Sequence, residues 1–352
     1  MSEVEAPAKV TFAHVFATLG AGGTLDPAEV RAAFEAILSG AWTSVQVGAF
    51  AVALRMQGDR SETIVAGAQA LRAAMSAVEH DLAPVLDTCG TGGDGAHTLN
   101  ISTAAAIVVA ASGVVVAKHG NRSVSSQCGS ADVVEALGIA IDVPVEKQAE
   151  ILREVRIAFL FAPAHHPALR HAAQARRELG VRTIFNALGP LVNPARATHQ
   201  LVGVYDDGLR PVLARALGTL GVSRAWVVRS EDGLDEMSPS GTTRISELLE
   251  GGEVRERTAT PEDFGIARLD RSAIAGGTAR QNADAILHIL DGAPHPATDA
   301  VILNAAAALA VTGVEPDLRN CAARAREALE SGAARDVLDA WRIAAAKRRP
   351  AA

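Results

Sequence analysis

The stretch Leu86–Asp132, LDTCGTGGDGAHTLNISTAAAIVVAASGVVVAKHGNRSVSSQCGSAD, constrains the fold of this chain more than any other. Val85–Cys89 reads as a short buried strand, and Gly90, Gly92, Gly93 and Gly95 crowd the turn after it. Asn100, Ser102 and Thr103 then precede an alanine-rich helix, Ala104–Ala111, and Val114–Ala117 reads as the next strand. A second polar loop, Lys118–Ser130, follows with Lys118, His119, Asn121, Arg122 and a cluster of serines. Both loops, Gly90–Asn100 and Lys118–Ser130, therefore leave successive strands at the same end, where open α/β sheets bind ligands. Glycine lets the backbone approach a ligand closely, and a helix N-terminus beside a glycine-rich loop is a ready anion site. Together these features point to a phosphate-rich ligand held by backbone N–H groups, hydroxyls and one lysine.

Other readings of the glycines are weaker. Gly90, Gly92 and Gly95 fit G-x-G-x-x-G, but a dinucleotide site needs an acid about 20 residues on, at the end of the second strand. Lys118 stands there instead. A phosphate loop of the Gly-Lys-Ser/Thr kind would need those residues where the chain has Gly95-Ala96-His97. Glycines serving only as turn-makers would leave the hydroxyl cluster of the second loop unexplained.

Composition narrows the ligand class. With 33 basic against 40 acidic residues, the net charge of −7 argues against general nucleic-acid binding, and 3% aromatics leave few stacking platforms for single strands. The charge that meets a phosphate must then be local or supplied by a metal. Cys89, Cys128 and Cys321 show neither a C-x-x-C motif nor metal-ligand spacing, which fits a reducing compartment. Cys89 and Cys128 sit in the key loops, where they read as small loop residues or, alternatively, as reactive thiols. MSEVEAPAK has no apolar core of a signal peptide, and Ala104–Ala117 is too short to span a bilayer, so a cytoplasmic protein is expected.

A chain of 352 residues has room for a large core and a second, smaller domain. The expected class is α/β, with a small N-terminal helical domain and a large domain built on a central mixed or parallel sheet flanked by helices. Residues 1–80 carry three helical patterns, opened by Asp26-Pro27, Thr43 and Ser61, and the segment 165–190 is expected to complete that domain. Residues 81–352 form the other. Within them, Asp132–Gly138, Val145–Val155 and Ala168–Leu179 read as helices and Ile157–Phe161 as a strand. Adjacent His165 and His166, with no cysteine or acid nearby, do not make a zinc set. Of Arg176 and Arg177 on the helix after them, one could clamp a carboxylate bidentately, or both could line a solvated face. Ala225–Arg229 reads as a strand leading to adjacent Asp235 and Glu236, hard oxygen donors that suit Mg2+ unless they are merely solvated surface. Four helical patterns follow, Ala279–Leu290, Ala297–Val311, Leu318–Ser331 and Ala334–Lys347, and Arg348–Pro350 reads as a frayed tail.

The motifs GTGGDG…TLNIST and VAKHGNRSVSSQCGSAD, with RTIFNALGPLVNP and DGLDE further on, resemble the anthranilate phosphoribosyltransferase family of tryptophan biosynthesis. That resemblance implies transfer of the phosphoribosyl group of 5-phosphoribosyl 1-pyrophosphate (PRPP) to the amine of anthranilate. It also implies a homodimer formed through the helical domain. Carried over motif by motif, it assigns PRPP to Gly90, Gly93, Asp94, Thr98, Asn100, Ile101, Ser102 and Thr103 in the first loop. In the second it assigns Lys118, His119, Gly120, Asn121, Arg122, Ser123, Val124, Ser125, Ser126 and Ser130. Anthranilate falls to Gly90, Asn121 and Arg176, and Mg2+ to Ser102, Asp235 and Glu236, with His119 a positioning candidate rather than a committed base. The chain departs from the family pattern at Gln174-Ala175, Arg229-Ser230 and Thr242. The alternatives are a pyrimidine nucleoside phosphorylase, which shares the fold, and a non-catalytic nucleotide- or nucleic-acid-binding relative. The phosphorylase gives no reason for Arg176 and the DGLDE pair, and the binder would be favoured by loss of Asp235-Glu236 or the GTGGD loop, both of which are present.

Overall fold

The computed structural model describes residues 10–93, 95–123 and 127–350. Four helices come first: α1 Phe12–Gly20, α2 Pro27–Leu38, α3 Ser44–Gln57 and α4 Ser61–Ala74. Asp26 and Thr43 cap α2 and α3 in reciprocal capping boxes with Glu29 and Gln46. Ser61, expected as a cap, instead lies in the first turn of α4, and Arg60 occupies the cap position without a side-chain bond. The expectation of three helices also missed α1, which buries only Val15 and Leu19 and so carries a thin apolar pattern.

The rest of the described chain builds a seven-stranded sheet in the order β3-β2-β1-β4-β5-β6-β7. Its strands are β1 Val85–Gly90, β2 Val115–Gly120, β3 Ile157–Phe161, β4 His199–Gly203, β5 Arg224–Ser230, β6 Thr243–Leu248 and β7 Val254–Ala259. The first five run parallel, and β6 and β7 add an antiparallel edge. Connecting helices are α5 Ile101–Ala111, α6 Ser130–Ala136, α7 Val145–Val155, α8 Ala162–His165, α9 Arg170–Leu179, α10 Ile184–Leu188 and α11 Leu209–Thr219. The chain closes with α12 Ala279–Leu290, α13 Thr298–Thr312, α14 Leu318–Glu330 and α15 Ala333–Ala346. Among the described residues, no helix is long and apolar enough to cross a membrane.

Strand alternation divides the interior into two cores. Leu201, Trp226 and Val228 face the larger one, which packs α5, α13 and the C-terminal helices against one side of the sheet. Val202, Val204, Ala225 and Val227 face the other, shared with α11 and the N-terminal helices. There α9 packs on α2 and α3, and α10 on α3 and α4. Arg72 of α4 adds polar ties, donating to the Leu191 carbonyl at 2.8 Å and the Leu220 carbonyl at 2.7 Å. In the larger core the alanine-rich α5 lies against α13, which is buried almost all round; small side chains let the two backbones approach.

In the segment RTIFNALGPLVNP, buried Asn193 donates to Asp87 Oδ2 at 2.7 Å and to the Ala117 carbonyl at 2.8 Å, stitching β1 to β2. Arg348 and Arg349 are not a frayed tail. Arg348 pairs with Glu150 and Glu154 of α7 at 3.0 and 2.7 Å, and Arg349 pairs with Asp142 at 2.8 Å, so opposite charges hold the segment against the body.

Candidate active site

Strand order reverses direction at β1, whose parallel neighbours are β2 on one side and β4 on the other. The carboxyl ends of strands flanking such a switch point leave a crevice. Here it becomes a cavity of about 180 Å³ lined by the glycine loop, Thr98, Asn100, Ser102, Cys128, Ser130, Asp235 and Glu236. Gly90 and Gly203 end the two strands in register, and this pairing makes room for the acidic loop. A Cβ on Gly203 would overlap the Asp235 carbonyl, and one on Gly90 would lie 3.2 Å from Asp235 Oδ2. Two glycines side by side thus let a carboxylate-bearing loop cross the strand ends.

The acidic loop is braced from below. Ser230 Oγ accepts from the Leu234 N–H at 2.8 Å, and Asp232 accepts from Ser238 and Ser240 at 2.7 and 2.8 Å. Arg229 donates to the Val204 and Gly233 carbonyls at 3.2 and 2.9 Å, so this departure from the family pattern acts as a brace. Asn304 of α13 closes the loop's far end, accepting from the Met237 N–H and donating to the Met237 carbonyl, both at 3.0 Å.

Ser102 is the hub of the cleft. It lies within the first turn of α5 rather than ahead of the helix as expected, since α5 begins at Ile101. Its N–H donates to Glu236 Oε1 at 3.3 Å, its carbonyl accepts from Thr88 Oγ1 at 3.1 Å, and its hydroxyl accepts from Lys118 Nζ at 3.3 Å. Lys118 was expected on the second loop, but it is a strand residue, 2% exposed, whose ammonium also donates to the Thr88 carbonyl. Burial lowers its pKa, and nearby Asp87, Cys89 and Glu236 oppose that shift. His119 and Gly120 are likewise in β2. The His119 N–H donates to Asp87 Oδ1 at 3.1 Å, and its ring faces His166, with centroids 5.2 Å apart. Burial holds the His119 imidazole well below its usual range, with His166 and His165 adding to the effect.

Other predicted residues fall as follows. Thr98 bridges to Ala275, and Asn100 accepts from buried Asn282 of α12 at 2.9 Å while donating to the Cys128 carbonyl at 3.4 Å. Ile101 and Thr103 point into the core, which leaves backbone N–H groups as what they can offer a ligand. The stem of the second loop is tied by Asp132, which accepts from the Ser123 and Gly129 N–H groups at 3.2 and 2.9 Å and pairs with Arg122 at 2.8 Å. Ser130 Oγ donates to the Asn121 carbonyl at 3.3 Å. Asp94, Val124, Ser125 and Ser126 lie outside the described residues. Burial raises the Cys89 thiol and pushes Cys128 up to about 11, so both favour the protonated, unreactive form.

On the helical side, Arg176 is half-buried with its guanidinium 5.7 Å from the Phe185 ring centroid, and among the described residues no carboxylate pairs with it. Arg177 beside it is exposed. His165 bonds the Ser76 carbonyl through Nδ1 at 2.9 Å, which gives it a structural task. Residues that the sequence did not single out, namely Asp132, Asn282 and Asn304, carry the positioning bonds. A lone asparagine inside the apolar run Ala297–Val311 was the visible signal for Asn304.

Residues 82–335 match the α/β domain of a glycosyl transferase family, and residues 13–75 match the same family's helical bundle domain. An anthranilate phosphoribosyltransferase of Myxococcus xanthus is 52% identical over 304 residues, covering 86% of this chain and 90% of the relative. The crystal structure of the Thermus thermophilus enzyme of that name matches with a TM-score of 0.88 at 39% identity, over 94% of this chain and 99% of that one. The Saccharomyces cerevisiae enzyme in complex with PRPP and Mg matches with a TM-score of 0.89 at 27% identity, over 97% and 99%. The chain belongs to the anthranilate phosphoribosyltransferase family.

Proposed function

We propose that this protein transfers the phosphoribosyl group of PRPP to the amine of anthranilate, giving N-(5-phosphoribosyl)anthranilate and pyrophosphate. The observation that carries the proposal is the convergence of the glycine loop, the first turn of α5 and the Asp235–Glu236 pair on one cavity at the switch point of the sheet. The yeast relative's complex with PRPP and Mg supports assigning that cavity to PRPP. The leaving group is multiply charged, so catalysis is mainly neutralisation and alignment.

Backbone N–H groups of Gly90–Gly93 and Asn100–Thr103 receive the pyrophosphate and ribose side, aided by the positive end of α5. Thr98, Asn100 and Ser130 add polar side chains. The loop from Gly120 through Asn121 and Ser123 holds the 5′-phosphate, and Arg122 stiffens its stem through Asp132. Lys118 acts from beneath by fixing Ser102 and placing a cation under the cleft. Ser102, Asp235 and Glu236 fit Mg2+: they are hard oxygen donors gathered on one wall, and Ser102 and Glu236 are already bonded. Bound Mg2+ would supply positive charge against the pyrophosphate oxygens. Arg176, held over Phe185 with no acidic partner among the described residues, receives the anthranilate carboxylate, with Gly90 and Asn121 beside the acceptor. An aryl amine is a neutral nucleophile, so His119 positions rather than deprotonates.

The oligomer belongs to this proposal as well. Val45, Val52 and Met56 repeat along one face of α3 at 81%, 37% and 84% exposure, and Phe16 of adjacent α1 is 48% exposed. An apolar stripe of this kind suits a second copy of the chain. The reaction itself is tested by the division of substrate effects at Arg176. Losing one charge-assisted contact, Arg176→Ala should raise the KM for anthranilate roughly tenfold to a hundredfold and leave that for PRPP near wild type. Equal loss for both substrates contradicts the assignment.

A further inference from the structure

Arg182 stands in the connection between α9 and α10 and belongs to none of the groups assigned above. The residue is half-buried, and no carboxylate among the described residues pairs with it. It stacks on Tyr205, its carbon 4.2 Å from the ring centroid. It also abuts the glycine loop: a Cβ on Gly93 would lie 2.7 Å from Nη2 and 2.9 Å from Nε of Arg182. Gly93 has a φ of +82°, so the loop turns there in a conformation that side chains disfavour and has no side chain of its own to pack. The same tyrosine anchors the start of the loop, because the Tyr205 N–H donates to Thr91 Oγ1 at 3.1 Å and the Thr91 N–H donates to the Gly203 carbonyl at 2.9 Å. Arg55 of α3 neighbours the Tyr205 side chain. A chain of contacts thus runs from the helical layer through Tyr205 and Arg182 to the wall of the cleft.

We propose that Arg182 is a positioning residue that, packed against both Tyr205 and Gly93, holds the Thr91–Gly93 loop in the path that receives pyrophosphate. PRPP affinity is thereby tied to the seating of the helical layer on the sheet. This inference rests on the assignment of the glycine loop to pyrophosphate. A planar guanidinium can stack on a ring and lie flat on a glycine, whereas a lysine ammonium keeps the charge but not the plane. Action by charge alone would survive exchange to lysine, and action by packing would not.

The test uses the full-length, Mg2+-loaded protein, with steady-state kinetics in both substrates and calorimetric titration of PRPP alone. Arg182→Ala should weaken PRPP binding and raise its KM about tenfold, with the KM for anthranilate changed less than about twofold. Tyr205→Ala should do the same, and the double variant should be no worse than either single one, because both remove one interaction. Arg182→Lys should behave like Arg182→Ala, and it carries the test if the alanine variant fails to fold. Recovery by lysine, an equal rise in both KM values, or additive losses in the double variant would overturn the proposal. The calorimetric affinity reports on the loop even in a protein that does not turn over anthranilate, so failure of the acceptor assignment stays distinguishable.

Discussion

Ser102 is held by β1, β2 and the acidic loop together: Thr88 and Glu236 fix its backbone, and Lys118 donates to its hydroxyl. The carboxylates opposite it make a direct prediction. Asp235→Asn combined with Glu236→Gln should raise half-saturating Mg2+ about tenfold or more, read from activity against metal concentration. A wild-type metal response would remove the metal site from these residues. A second prediction concerns pH. Burial pushes the His166 imidazole down to about 4, with His165 adding to the shift, and His119 and His165 move the same way. With the folded pKa below the unfolded value of about 6.5, the unfolded chain binds more protons between the two, so stability is complete above that window and is lost as pH falls through it. Thermal melts from pH 7 to pH 4 should therefore slope less steeply for His166→Asn than for wild type; parallel slopes would contradict the burial argument. Legibility at this scale followed chemistry more closely than position. The lysine, the hydroxyls and the acidic pair were visible by type, but Lys118 looked like a loop residue because buried lysines are rare and its partners come from Thr88 and Ser102, remote in sequence.

Elements with one clean period were readable to the residue: α7, β3 and α12 coincide with the sequence boundaries. Those missed have their polar residues inside or their charges regularly outside. β4 opens with His199 and Gln200, both buried; Gln200 donates to the Pro190 carbonyl at 2.8 Å, so its polarity is satisfied by a partner that the local pattern does not announce. The β6–β7 hairpin is rich in charge, with Arg255, Glu256 and Arg257 consecutive in β7, and Arg257 and Glu247 pair across it at 3.5 Å. α13 was legible as a buried helix, but the task of its asparagine was not, because Met237 belongs to a different element. Asn304→Ala leaves a buried N–H and carbonyl of Met237 without partners and should cost about 2–4 kcal/mol of stability. By loosening the residue next to Glu236, it should also raise the Mg2+ requirement. A variant destabilised but normal in its metal response would restrict Asn304 to a structural role.

The whole molecule joins two packed cores through one sheet, and the cleft lies where the strand order reverses at β1, with Arg176 on the helical side and the loops after β1 and β2 on the other. In the proposed assignment the helical layer serves the acceptor and, through its exposed α1–α3 face, a contact with a second copy. Met56→Glu with Val52→Glu should shift the protein toward monomer in sedimentation velocity, since burying two carboxylates in an apolar contact is costly; an unchanged dimer would move the interface elsewhere. All of this serves one claim about chemistry, and fluorescence-monitored consumption of anthranilate in the presence of PRPP tests it most directly. With Mg2+ present, the signal should fall only when both substrates are supplied, and chelating the metal should stop it. Anthranilate left unconsumed under those conditions, with PRPP still bound, would contradict the transferase assignment.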